Sequence, residues 1–190
     1  MKKITMIISL LAALLFATTA AAATIPGYSG TTNQDNSEYG ATIEFKKKSF
    51  EGGQKLAVYT GPGYEYYRDS WANASTDETI WMAGRTGDWA FIMYKKNNGG
   101  FRTGYIDASQ LQYKLGGRSL NLVSRRATVL TNCSMTDDPK NITTAICTLS
   151  AGEAVTFLGE YTDHHHWAYI EAFAEKPVRG FILMDDIQIQ

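Results

Sequence analysis

The densest group of side chains with binding chemistry lies around the turn Gly61-Pro62-Gly63. Aromatic rings stack on sugar rings and pack against extended peptides at a low cost in conformational entropy. We therefore predict a ligand-binding surface made of seven aromatic residues and one arginine: Tyr59, Tyr64, Tyr66, Tyr67, Arg68, Trp71, Trp89 and Tyr105. The alternative is that several of these rings fill a small hydrophobic core, and we expect that role for Trp89 and Trp167.

Two further arginines, Arg102 and Arg179, each come shortly before a glycine that opens an aromatic strand. We interpret them as equivalent positions of an internal repeat. A guanidinium there can clamp a carboxylate or fix a loop carbonyl. The structural role is favoured, because a position present in both copies serves the fold that the copies share.

The chain has two cysteines, Cys133 and Cys147. In an exported protein, an even pair at short separation indicates a disulfide, and we predict a bond between them. A closed loop of about 15 residues would stabilise the fold by about 3 kcal/mol in the chain-entropy description. The alternative role, as a nucleophile or a metal ligand, lacks partner residues nearby in the sequence.

The segment Asp163-His164-His165-His166 could offer ligands to a metal ion. Adjacent strand residues point to opposite faces, so we predict a solvated loop here and no metal site. Asp137-Asp138 precedes Pro139, and we interpret the two acids as turn formers rather than an acid/base pair. No Ser/His/Asp or Cys/His site is indicated, so we predict no catalytic residue, no cofactor and no enzyme activity.

The elements that position these side chains begin after residue 23. Residues 1–23 resemble a secretory signal peptide, with Lys2 and Lys3 before an apolar run and small residues at the cleavage site. The apolar run is short for a membrane span, so we predict cleavage, a secreted or periplasmic location and no membrane span in the mature chain; an uncleaved anchor is the alternative. Residues 24–44 are predicted to form a flexible linker.

The charge balance bears on the kind of partner. Without Lys2 and Lys3, the 18 basic residues fall to 16, against 19 acidic residues. A protein that neutralises phosphates needs an excess of basic residues. We therefore predict that nucleic acid is not a partner.

An internal repeat organises the rest of the chain. Trp89-Ala90-Phe91-Ile92 recurs 78 residues later as Trp167-Ala168-Tyr169-Ile170, and each is followed by a second Gly-aromatic-Ile strand. Short aromatic strands, Gly/Asn turns and no sustained helical period predict an all-β fold. We interpret residues 56–60 and 127–131 as equivalent first strands of the two copies.

These motifs resemble the bacterial SH3-like domain family. In the first copy they read Val58-Tyr59-Thr60-Gly61-Pro62-Gly63, Tyr66-Tyr67-Arg68, Trp89-Ala90-Phe91-Ile92 and Gly104-Tyr105-Ile106. The second copy has Asn132-Cys133-Ser134 in place of the Gly-Pro-Gly turn. The resemblance implies two tandem small SH3-like β-barrels, at residues 45–115 and 119–190.

The resemblance also implies a function. Domains of this family sit beside cell-wall hydrolases and target peptidoglycan or adjust access to an active site. Here the two copies and the linker fill the chain after residue 23, so we expect a non-catalytic binding protein for cell-wall peptide or glycan. The alternative is a protein-protein interaction module, a subunit or inhibitor of an exported partner that binds through the cysteine-bearing loop.

Overall fold

The computed structural model describes residues 39–97, 99–141, 144–163 and 165–190. The all-β prediction is confirmed: these residues form thirteen strands and two single-turn 3-10 helices, with no α-helix among them. None of the helices in this part of the chain could span a membrane. The predicted signal peptide and most of the predicted linker lie outside the described residues.

The first copy contains six strands, and four of them form one antiparallel sheet in the order β1-β4-β5-β6. The other two, β2 and β3, pair with each other. A 3-10 turn follows β6 at Ala108–Gln110. The bounds are Lys46–Lys48 (β1), Lys55–Ala57 (β2), Asn73–Ser75 (β3), Ile80–Thr86 (β4), Trp89–Lys95 (β5) and Phe101–Asp107 (β6).

The second copy repeats this arrangement and adds a seventh strand. Its main sheet has the order β12-β11-β10-β7-β13, and β8 pairs with β9. A second 3-10 turn, Met184–Asp186, lies between β12 and β13. The bounds are Arg125–Val129 (β7), Cys133–Met135 (β8), Cys147–Leu149 (β9), Ala154–Asp163 (β10), His165–Phe173 (β11), Pro177–Leu183 (β12) and Ile187–Ile189 (β13).

The register of the repeat differs from the sequence interpretation. β7 pairs with β10 as β1 pairs with β4, so residues 127–131 correspond to the neighbourhood of β1 and not to residues 56–60. The true equivalent of β2 is β8, because Tyr59 bridges Tyr105 on β6 as Thr136 bridges Phe181 on β12. Each copy also has a β-bulge at the same place, after Met82 and after Phe157. The sheets do not close into barrels.

The two sheets pack face to face through aromatic rings. Phe91 stacks on Tyr105 of its own unit at 4.7 Å and on Tyr169 of the other at 4.9 Å between ring centroids. Tyr169 lies 4.8 Å from Phe181. Since side chains alternate along a strand, the opposite faces of β5 and β11 pack in two separate cores, one for each unit. Burial on both faces accounts for the unbroken apolar runs in these strands.

The segments that lead into the two units cross over to the opposite unit. Ile43 donates its N–H to the carbonyl of Glu160 on β10 at 2.7 Å, and Glu160 donates back to Ala41 at 2.8 Å. In the same way, Arg85 on β4 donates to Arg118 at 2.9 Å, and Leu120 donates to Arg85 at 2.7 Å. The end of the predicted linker is therefore an ordered part of the second sheet. Flexibility was the wrong expectation for residues 41–44, since Ala41 and Ile43 are buried.

Candidate ligand-binding cleft

The predicted aromatic surface divides into three groups in the structure. Tyr64, Tyr67 and Trp71 are 57%, 41% and 86% exposed. Tyr59 and Trp89 are half-buried, which places Trp89 between the expected core role and the surface. Tyr66 and Tyr105 are buried, so for them the ligand-binding prediction is wrong. Trp167 is buried, as expected.

Three of the rings form a compact cluster at the edge of the first unit. Trp89 lies 5.5 Å from Tyr59 and 5.0 Å from Tyr64, and Tyr59 and Tyr64 are 5.5 Å apart, all in edge-to-face contact. Aromatic pairs favour this geometry because the positive ring edge meets the negative ring face. The guanidinium of Arg68 lies 5.7 Å from the Tyr59 ring centroid. The cluster is thus a preformed surface with one cation on it.

The 3-10 turn after β6 holds the exposed ring of Tyr64. Its hydroxyl donates to the carboxylate of Asp107 and accepts a hydrogen bond from Gln110 at 3.1 Å. The hydrogen bond to Asp107 raises the pKa of Tyr64. Burial alone would raise the pKa of Asp107, but hydrogen bonds from Ser109 and Tyr64 lower it. These hydrogen bonds therefore fix the orientation of the Tyr64 side chain although its ring is exposed.

Tyr66 and Tyr105 serve the contact between the units. The Tyr66 hydroxyl donates to Glu171 at 2.7 Å and accepts from Arg179 at 3.1 Å. Arg179 is 2% exposed, and its Nε donates to Glu171 at 2.6 Å. The guanidinium lies 5.1 Å from the Tyr66 ring centroid and 5.8 Å from that of Tyr105. The structural role favoured for Arg179 agrees with this geometry.

The Gly-Pro-Gly turn makes this contact possible. A Cβ at Gly61 would overlap the ring of Tyr66. Burial raises the pKa of the Tyr66 hydroxyl well above its usual value, which keeps it a neutral donor and acceptor beside Arg179. The backbone N–H of Tyr67 donates to Pro177 of the second unit at 3.0 Å. We name these contacts, between the loop after β2 and the start of β12, the Arg179 junction.

The equivalent loop of the second unit docks on the first unit in return. Thr103 donates its N–H to the carbonyl of Asp137 at 2.7 Å, and Phe101 donates to the carboxylate of Asp138 at 2.7 Å. Arg102 places its Nε 2.7 Å from the Asp137 carboxylate. We name these contacts the Arg102 junction. The turn-forming interpretation of Asp137-Asp138 missed that both acids bind the other unit.

Arg102 and Arg179 are not equivalent residues. Gly104 and Gly180 pair with Ile92 and Ile170, so the residue of the first unit that matches Arg179 is Thr103. Because neighbours on a strand point to opposite faces, the two guanidinium groups lie on different faces of their sheets. Arg179 is enclosed between the units, whereas Arg102 lies beside an open cleft.

That cleft has a volume of about 330 Å³ and is walled by both units. Tyr59 and Tyr67 of the loop after β2 line it, together with Arg102 of β6 and Lys96 of the turn after β5. The second unit contributes Thr144, Ala145 and Ile146 from the loop before β9. A second groove of about 490 Å³ opens beside Trp71 and Tyr94, and we name it the Trp71 groove. The loop after β2 in the first unit and the loop before β9 in the second unit therefore meet at one cleft.

Arg102 and Asp137 in the cleft each stabilise the charged form of the other against the effect of burial. Burial alone would lower the pKa of Arg102, but the nearby charge of Asp137 raises it. Burial raises the pKa of Asp137, and Arg102 opposes that shift. Burial also raises the pKa of Tyr94, in the adjoining groove, to about 12. At neutral pH, Tyr94 is therefore an uncharged hydroxyl beside the guanidinium of Arg102.

Cys133 and Cys147 lie on the paired strands β8 and β9, at diagonal positions of one face. Both are free thiols, so the expected disulfide is not formed in this structure. Burial raises the pKa of each thiol to about 11, which keeps both protonated at neutral pH. The disulfide stays a prediction.

Asp163 ends β10, and His165 and His166 begin β11, so these three residues belong to strands and not to a free loop. His166 places Nε2 2.6 Å from the Glu160 carboxylate, and the His165 ring lies 5.7 Å from that of Trp167. His164 lies outside the described residues. Among the residues that the structure describes, there is no group of three or more His, Cys, Asp or Glu that could hold a metal ion.

The structure adds residues that sequence reasoning missed, namely Asp69, Lys96 and the wall at Thr144–Ile146. Their signal was weak, because each is a polar or small residue in a loop with many of its kind. Comparison with protein-family models, with curated proteins and with solved structures gave no match to this chain. What can be said of its function therefore depends on its own residues.

Proposed function

We propose that this chain is an exported, non-catalytic binding protein with two tandem SH3-like units, which recognises cell-wall peptide or glycan through the loop aromatics of its first unit. The observation that carries the proposal is the exposure of Tyr64, Tyr67 and Trp71 on a single loop. Monomeric proteins seldom expose several large rings together unless the surface has a partner. The signal-peptide pattern of residues 1–23 supports an exported location.

The rigidity of the surface supports binding rather than incidental exposure. Asp107 and Gln110 fix Tyr64, and the Arg179 junction fixes the loop that carries Tyr67. Preorganised rings lose little conformational entropy when a ligand arrives. An extended chain can lie across Tyr59, Tyr67 and the Trp71 groove without a change in the fold.

Purified peptidoglycan tests this proposal in a sedimentation assay. We expect the unchanged protein to sediment with the wall material, and Tyr67→Ala with Trp71→Ala to weaken retention about tenfold, since each ring contact contributes about 0.5–1.5 kcal/mol. Leu130→Ala is the control, because it removes another exposed apolar side chain, in the second unit. Equal retention of the double variant and the control would remove the aromatic loop from the binding surface.

A further inference from the structure

The cleft and the Trp71 groove are joined by three residues that line both cavities: Asp69, Lys96 and Arg102. Rings therefore lie on either side of a charged centre, with Tyr59 and Tyr67 in the cleft and Trp71 in the groove. A chain that contacts both sets of rings must cross this centre. Its charges then decide which ligands are accepted.

The two carboxylates that form ion pairs with Arg102 differ in exposure. Asp137 lies 2.7 Å from Nε with a side chain that is 10% exposed, and it belongs to the Arg102 junction. Asp69 lies 3.2 Å from Nη2 with a side chain that is 40% exposed. An ion pair that faces solvent contributes little net free energy. A carboxylate from outside can therefore replace Asp69, whereas Asp137 stays with the fold.

Basic side chains outnumber acids along the Trp71 groove, on the side of this centre that favours an acidic ligand. On the cleft side, Asp137 and Asp138 pair with Arg102 and Lys96. The Trp71 groove is lined by Lys55, Lys95, Lys96 and Arg102, against two acids, Asp69 and Glu78. The chain as a whole carries a net charge of −1, so this excess is local. A guanidinium holds a carboxylate through two parallel hydrogen bonds, which a neutral amide cannot match.

We propose that Arg102 is the anchor for a carboxylate of the bound chain, and that Asp69 occupies this anchor when no ligand is present. The ligand class is then a wall peptide with a free carboxylate, rather than a neutral glycan. This inference rests on the proposed function and deepens it. Replacement of Asp69 by a ligand carboxylate also affects the segment that carries the exposed Trp71 ring. The other oxygen of Asp69 accepts a hydrogen bond from the backbone N–H of Trp71 at 3.1 Å.

The test uses Asp69→Asn, which removes the competing charge and keeps an oxygen for the Trp71 N–H. The probe is Nα,Nε-diacetyl-L-lysyl-D-alanyl-D-alanine, as the free acid and as the C-terminal amide, titrated by calorimetry. We expect the unchanged protein to prefer the free acid and Asp69→Asn to bind it about two- to fivefold more tightly. The affinity for the amide stays the same.

Asp77→Asn is the matched control. It removes an equal charge in the first unit, and it keeps an acceptor for the Gly53 N–H that Asp77 binds at 2.9 Å. Asp77 lines neither cavity. The control is expected to bind the free acid as the unchanged protein does.

The inference would be overturned by equal affinity for acid and amide, by no gain from Asp69→Asn, or by the same gain from Asp77→Asn. Preference for a neutral oligosaccharide of N-acetylglucosamine over the peptide would also overturn it. In each case, retention on whole peptidoglycan still reports separately on the proposed function. Loss of that retention, together with no binding of the peptide, would remove both.

Discussion

The Arg179 and Arg102 junctions occupy equivalent places in the repeat and use different chemistry. In each, the loop after the second strand of one unit docks on the start of the last repeated strand of the other unit. At the Arg179 junction the guanidinium is enclosed by Tyr66, Tyr105 and Glu171. At the Arg102 junction the guanidinium is shared between a buried acid and an exposed one.

The difference indicates how one architecture can separate stability from binding. A buried charge that loses its partner is costly, so the Arg179 junction has little freedom to exchange partners. A half-exposed ion pair exchanges its partner at little cost, so the Arg102 junction can receive a ligand. The first junction joins the units, and the second leaves an open cleft between them.

The largest expected effect comes from Arg179→Ala. This variant leaves Glu171 and the Tyr66 hydroxyl without their buried partner, and we expect the free energy of unfolding to fall by roughly 3–5 kcal/mol. Denaturant unfolding followed by tryptophan fluorescence measures the change. Arg126→Ala, at an exposed position of β7, is the control and should change stability by less than about 0.5 kcal/mol. Similar curves for the two variants would mean that the Arg179 junction does not join the units.

A smaller effect is expected from Asp138 at the Arg102 junction. Asp138 is fully buried and accepts from the N–H groups of Phe101 at 2.7 Å and Lys140 at 3.1 Å. Asp138→Ala leaves these donors unpaired and should cost about 1–3 kcal/mol. Asp138→Asn keeps an acceptor and should cost less, as thermal unfolding of the two proteins can measure. A larger loss for Asn than for Ala would contradict the hydrogen-bonding role.

The smallest effect separates two tyrosines of one loop. Tyr66→Phe removes a buried hydroxyl that joins Glu171 to Arg179, and we expect a loss of about 0.5–1.5 kcal/mol. Tyr64→Phe removes a hydroxyl at the surface and should destabilise the protein less than Tyr66→Phe does. The same unfolding measurement applies to both. If Tyr64→Phe is the more destabilising, the division of the loop into a structural and an exposed part is wrong.

The sequence was sufficient to locate the aromatic strands but not to predict which strands pair with each other. The Trp-Ala-aromatic-Ile segments predicted β5 and β11, because aromatic and β-branched residues favour strands whichever surface covers them. Residues 41–44 were assigned to the flexible linker, because no local sequence pattern names the distant strand on which a short segment pairs. The crossing of residues 41–43 to β10 was therefore missed.

The candidate site shows the same limit. Exposed aromatics after the Gly-Pro-Gly turn were predicted, and Tyr64, Tyr67 and Trp71 fit that expectation. Tyr66 has the same side chain as Tyr64 and Tyr67 and lies between them in the sequence. It is nevertheless buried by contact with Glu171, more than a hundred residues away in the chain. Matching Arg102 to Arg179 shifted the register by one residue, and in a strand such a shift exchanges the two faces.

Hydrogen–deuterium exchange with soluble peptidoglycan fragments tests most directly whether binding occurs at the Arg102 side of the molecule. We predict slower exchange in the segments 67–73, 95–97 and 102–103, which supply residues that line the cleft and the Trp71 groove, and unchanged exchange in residues 177–190. Slowing confined to the second unit would contradict this assignment. So would unchanged exchange throughout, at fragment concentrations that displace the protein from whole peptidoglycan.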